Sequence, residues 1–309
     1  MRREEPDVVL PPTRRRHREE AKGETETMNL RHIVSAAIVC LTAAFPARAL
    51  TLRCPPDSVK VGNTCVDTYE ASLWQIDPAN TTLVRKVQSG RVTLADLTAG
   101  GAVPLSLSAC SAMDSLTNFP RTGNWTPLPG SNPPSPGIYG VSVAGVQPSR
   151  CITWFQANQA CLLSGKRLLT NREWQGAAAG TPDPGAANDG STTCVTTGVG
   201  PADTGSRSSC KSVWGAFDMI GNVDEWVADW GDRSVSCTNW PATFGSDVSC
   251  VGGPGTTGNP GEQSGTLSFP GAFVRGGSFL DQTDAGVFAV SAGTDPSQRS
   301  PSIGFRCAR

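Results

Sequence analysis

Apolar residues in this chain fall in short, widely spaced runs, and two of those runs carry helical punctuation. Thr153-Trp-Phe-Gln156 has the T-x-x-Q form of a capping box ahead of FQANQACLLSGKR, in which Phe155, Cys161 and Leu162 recur on roughly one face and Gly165 ends the run. Thr170-Asn-Arg-Glu173 has T-x-x-E, opens NREWQGAAAG, and is closed by Gly180. The basic, apolar link Lys166-Arg167-Leu168-Leu169 joins the two predicted helices. Strand signals are shorter: SVKVGNTCVDTYEAS, AFVRGGSF, VFAV and the closing IGFRCAR. Residues 181–212 and 231–271 are rich in Gly, Ser, Thr, Asp and Pro and read as loops, and no repeat period is visible. The pattern predicts an α+β domain with sparse regular secondary structure.

The N-terminus has a different character. Residues 1–27 are dense in both charge signs and nearly free of apolar side chains, so they are expected to be a disordered or untranslated leader. Residues 28–49 have a short basic start, an apolar run from Ile33 to Phe45, and Ala47 and Ala49 at A-x-A spacing, the layout of a signal peptide cleaved after Ala49. The run is too short to span a bilayer, and no later segment approaches about 20 continuous apolar residues. Residues 50–309 are therefore expected to form one secreted or periplasmic domain with no transmembrane segment.

Charge and cysteine content sharpen this. Nine of the 26 basic and seven of the 27 acidic residues precede Leu50, which leaves a net charge of −3 and no electrostatic case for nucleic acid. Ten of the 11 cysteines follow the signal segment, an even number that suits a disulfide framework in an oxidising compartment. No C-x-x-C pair is present, and both histidines, His17 and His32, lie before Leu50. Histidine general bases and Ser-His triads are thereby excluded from the mature chain, and its donors beyond thiols are oxygens suited to calcium or magnesium.

Four segments then stand in order: GKRLLTNREWQGAAAG, WGAFDMIGNVDEWVADW, VRGGSF and IGFRCAR. With VDTYEAS, they make the chain resemble the formylglycine-generating enzyme, or sulfatase-modifying factor, family. The resemblance covers most of residues 54–309 and implies a disulfide-stapled variant of the C-type-lectin-like fold. It implies a structural calcium ion held by the side chains of Asp218 and Glu225 and the carbonyls of Gly221 and Val223; the alternative is that the two carboxylates cap a turn packed by Trp226 and Trp230. It also implies a disulfide between Cys161 and Cys307. Proximity then pairs Cys54 with Cys65, Cys194 with Cys210 and Cys237 with Cys250, leaving Cys110 with Cys151, although other connectivities remain open.

The family's oxidases place a cysteine three residues after the Gly-Gly-Ser turn and another five residues later, a thiol pair that binds copper and activates oxygen. Asp281 and Gly286 stand at those positions, and no cysteine lies between Cys250 and Cys307. Cysteines that the family also pairs near Ala178 and Ser291 are absent together. A carboxylate is a poor ligand for cuprous ion, and the iron-using relatives depend on histidine, so neither copper nor iron is expected. What remains is a polar surface of Asp281, Gln282, Asp284, Ser291, Thr294, Asp295, Gln298 and Arg299, which suits recognition of a protein or glycan ligand by hydrogen bonds, so the expected role is that of a ligand-binding or structural module. Trp125 and Trp240 could stack on sugar rings or fill the core. The competing expectation is an enzyme, either an oxidoreductase that converts a sulfatase cysteine to formylglycine or another activity of the same family.

Overall fold

The structure, a computed structural model, describes residues 52–105, 110, 119, 121, 137–234, 237–251 and 270–309. The expectations for residues 1–49 and for Trp125 lie outside these. Among the described residues thirteen strands and four α-helices follow in chain order: β1 (Ser58–Val61), β2 (Thr64–Asp67), β3 (Ser72–Ile76), α1 (Thr81–Gln88), α2 (Leu94–Ala99), β4 (Val103–Pro104), β5 (Gly137–Val141), α3 (Trp154–Leu163), β6 (Arg167–Leu168), α4 (Asn171–Ala177), β7 (Asp224–Gly231), β8 (Thr238–Asn239), β9 (Val248–Cys250), β10 (Gly271–Arg275), β11 (Val290–Thr294), β12 (Ile303–Phe305) and β13 (Cys307–Ala308).

Both expected capping boxes form. Thr153 and Gln156 exchange side-chain and backbone hydrogen bonds at the start of α3, and Thr170 and Glu173 do the same at α4. Gly165 follows α3 with φ +67, where a residue with a Cβ would be strained. Two helices were missed, α1 and α2. Their caps were legible, because Asn80 accepts from Leu83 N–H and Thr93 with Asp96 forms a third capping box, but a run of eight and a run of six residues give too little periodicity to stand out.

Three sheets carry the fold. The central one has six strands in the order β12-β7-β10-β11-β9-β8, with β7, β10 and β11 antiparallel and β12 parallel to β7. Its strand β7 comes from DEWVADWG, a segment without the alternation that marked the expected strands. A four-stranded sheet, β1-β2-β13-β6, brings the final strand beside the first hairpin, and a three-stranded sheet, β4-β3-β5, completes the set. The largest buried cluster joins α3 to the central sheet through Ile152, Ala157, Trp226, Val274 and Phe305.

Five disulfides brace these layers: Cys54–Cys65, Cys110–Cys151, Cys161–Cys307, Cys194–Cys210 and Cys237–Cys250, the partners named above. Together they use every one of the ten cysteines among the described residues. Cys161–Cys307 spans 146 residues and ties α3 to β13, a closure worth about 4–5 kcal/mol in the chain-entropy account. Beside it, the buried Lys166 ammonium lies 2.7 Å from Asp57 and 2.6 Å from Asp67, joining the first hairpin to the link between α3 and α4. No helix among the described residues is long and apolar enough to cross a membrane.

Candidate functional site

The loop after β10 is shaped by its glycines. Gly276 and Gly277 adopt φ +90 and +73, and a Cβ on Gly277 would stand 2.6 Å from Ala285, so the chain folds back tightly on itself. Ser278 closes the turn, donating from its N–H and its hydroxyl to Oδ2 of Asp281 at 2.7 and 2.8 Å. Arg275 does not reach the solvent side. Its guanidinium stacks 4.5 Å above Trp174 and donates to Gln175 and to the carbonyls of Val287 and Ala289, and burial lowers its pKa to about 10. It therefore supports the loop from beneath.

Above the loop lies a cavity of about 400 Å³ between β10, β11, β9 and the segment 298–303. The structure brings six of the expected polar residues to its wall: Asp281, Asp284, Ser291, Thr294, Gln298 and Arg299. Gln282 and Asp295 do not line it. Gln282, with φ +52, starts a short 3₁₀ turn and faces solvent, while Asp295 turns its carboxylate onto the N–H and hydroxyl of Ser297. Two of the wall residues are held by neighbours: Asp284 accepts from Asn239 Nδ2 at 2.7 Å, and Arg299 donates to the Cys110 carbonyl at 2.6 Å. The floor holds a residue the sequence reading passed over, Asp224, at the start of β7. Burial, then the negative charges of Asp281 and Glu225, hold its carboxyl well above the usual carboxylate range.

A second overlooked residue, Asp247, decides what the oxidase position can hold. A Cβ on Gly286 would stand 2.1 Å from Asp247 Oδ2 and 2.2 Å from its Cγ. The Asp247 carboxylate thus fills the space that a cysteine side chain at position 286 would need. Phe288 N–H donates to Oδ2 at 2.7 Å and Trp240 N–H to the Asp247 carbonyl at 2.8 Å, which fixes it there. Trp240 itself is surface-exposed, in an aromatic patch with Phe244 and Phe288.

Asp218 and Glu225 both meet a buried arginine, Glu225 through its carboxylate and Asp218 through its backbone carbonyl. Arg306 is fully buried and donates from Nε to both oxygens of Glu225 at 2.8 Å and from Nη2 to Oε1 at 2.5 Å, while Trp174 Nε1 donates to Oε2 at 2.7 Å. Asp218 accepts from Gly205 N–H at 2.7 Å, and Glu70 braces the turn by accepting from Val223 N–H and Asn222 Nδ2. With both Glu225 oxygens taken and the guanidinium alongside, these residues as arranged do not fit the expected calcium site at Asp218, Gly221, Val223 and Glu225. The sequence showed the carboxylates; it did not show that Arg306, from the closing motif, answers their charge.

Several buried carboxyls titrate high. Burial, foremost, pushes Asp67, Asp218 and Asp247 each up to about 6. Unfolded, an aspartate titrates near 4, so between about pH 4 and 6 the folded chain binds more protons and gains stability as the pH falls. Glu173, held down to about 2 by Arg167, works in the opposite sense only below its ordinary pKa. The expected outcome is a higher melting temperature near pH 5.5 than near pH 7.5; a decrease over that interval would contradict the protonated interior.

A disulfide-braced α+β domain whose Gly-Gly-Ser loop backs onto a buried Glu-Arg pair and frames an open pocket defines a class, the sulfatase-modifying-factor type. The chain belongs to that family: residues 69–309 match the one described as the sulfatase-modifying factor enzyme 1-like domain. It is similar to a formylglycine-generating enzyme of Thermomonospora curvata, 29% identical over 212 residues that cover 61% of this chain and 65% of the relative. The chain thus spans just under two thirds of that relative's length. Among solved structures it is similar to the Major Tropism Determinant I1 variant, with TM-score 0.44, 17% identity and coverage of 82% of this chain and 52% of the other. PvdO from Pseudomonas aeruginosa follows with TM-score 0.31, 16% identity and coverage of 84% and 99%.

Proposed function

We propose that this protein is a secreted or periplasmic member of the family that binds a protein or glycan ligand in the pocket above Asp224 and carries no copper oxidase activity. The observation that carries the reading is the packing of the Asp247 carboxylate against Gly286, at the place where an oxidase needs its second thiol. Every described cysteine is spent in a disulfide, so no thiol is left to bind cuprous ion. The wall of hydroxyls, carboxylates, an amide and a guanidinium, set on braced strands, suits recognition by hydrogen bonds. The experiment is a copper(I) titration of the purified protein, with free thiols counted in the same sample under non-reducing conditions. The expected result is no stoichiometric copper binding and no thiol in the domain; tight binding together with a free thiol pair would return the chain to the oxidases.

A further inference from the structure

The loops that frame the pocket hold a second acidic feature, apart from Asp218 and Glu225. Asp247 is only 1% exposed, and while its Oδ2 accepts from Phe288 N–H, its Oδ1 is buried without a hydrogen-bond partner. The carboxylate lies between two glycines, Gly286 on one side and Gly245 on the other. A Cβ built on Gly245 would stand 2.3 Å from that orphan Oδ1 and 3.3 Å from Oδ2 of Asp183, so both oxygens face one small space. Asp183 is exposed at its outer edge, and its other oxygen, Oδ1, accepts from Gly185 N–H at 2.8 Å. Arg275 acts on Asp247 only at a distance, since its hydrogen bonds go to Gln175, Val287 and Ala289. Two carboxylates that both reach the surroundings of Gly245, one with an unsatisfied oxygen in the interior, are stabilised by a positive partner near both.

We infer that Asp247 Oδ1 and Asp183 Oδ2 bridge a hard divalent cation of the calcium type. Oxygen donors alone are offered, which selects calcium or magnesium over copper or zinc, and calcium tolerates the irregular geometry of two loops better than magnesium does. Among the described residues no three acidic, histidine or cysteine side chains converge to hold a metal, so backbone carbonyls and water complete the shell. The bound ion clamps the loop after α4 to the β8–β9 hairpin. Through the Asp247–Phe288 hydrogen bond it also fixes the far end of the Gly-Gly-Ser loop, so that calcium orders one wall of the pocket. This site is separate from Asp218 and Glu225, whose charges Arg306 already meets.

The test is a terbium(III) titration of the purified full chain, read as luminescence excited through tryptophan, with calcium as competitor. Trp240 supplies the antenna, because its N–H donates to the Asp247 carbonyl and its indole to the Phe288 carbonyl at 3.0 Å. Saturable emission displaced by calcium is expected, with affinity weakened about tenfold or more in both Asp183→Asn and Asp247→Asn and unchanged in Asp218→Asn. Asp183 is exposed, so its variant remains informative even if the buried Asp247→Asn substitution disturbs folding. Absence of saturable binding, which would leave a trapped water as the partner of Oδ1, overturns the inference. So does an affinity that Asp183→Asn leaves intact, or one that falls in Asp218→Asn instead.

Discussion

Replacing Arg306 by methionine is expected to lower the unfolding free energy by about 3–5 kcal/mol, the cost of leaving a buried carboxylate without its counter-charge. Glu225 receives three hydrogen bonds from this guanidinium, and its remaining partner, Trp174 Nε1, carries no charge. The same cation offsets Glu70 and Asp218, whose own carboxyls burial already drives toward the protonated form. It also donates to the carbonyls of Asp67 at 3.2 Å and Phe217 at 2.8 Å, so its loss frees acceptors in the turn as well as charge. Chemical denaturation with the disulfides intact would measure the effect. Adding Glu225→Leu to Arg306→Met should recover a good part of the loss, because the pair removed together leaves no orphan charge. A single variant costing less than about 1 kcal/mol would mean that water or protonation meets Glu225 as well as the guanidinium does.

How much of this was legible follows from the range of the interactions. The capping boxes at Thr153 and Thr170 are written within four residues, and each starts the helix it announces. Short helices such as α2 carry the same local cap without a periodic face behind it, so they pass unnoticed. The pocket wall was legible as a polar run after a glycine turn, because β10, the turn and β11 are contiguous in the chain. Asp281 could be read as exposed chemistry, yet half of its carboxylate serves Ser278 and the turn. Asp224, Asp247 and Arg306 were not legible as site residues. Each acquires its role from a partner between 39 and 81 positions away, such as Gly286 for Asp247 and Glu225 for Arg306. A motif gives the residue types in order; it does not say which carboxylate a buried cation will meet.

That distinction yields the second large effect. Installing the oxidase thiols by Asp281→Cys and Gly286→Cys is expected to fail as a copper site, and the double variant should lose stability. A side chain at 286 begins 2.1 Å from Asp247 Oδ2, far inside contact distance, and the Asp247 carboxylate cannot swing away without giving up its Phe288 N–H hydrogen bond. Overpacking of this kind costs about 1–3 kcal/mol, and the lost Ser278 hydrogen bonds to Asp281 add to it. Adding Asp247→Ala removes the obstruction, leaving two thiols on a loop whose glycine turn is already in place, and soft sulfur donors then suit cuprous ion. Stoichiometric copper(I) binding is therefore expected in the triple variant and not in the double one, with each followed by competition against a chromogenic chelator. Equal binding by both would show that Asp247 yields readily and that the thiol volume was never blocked. Binding confined to the triple variant would identify the Asp247 carboxylate, together with the missing cysteines, as what separates this chain from the copper-binding members of its family.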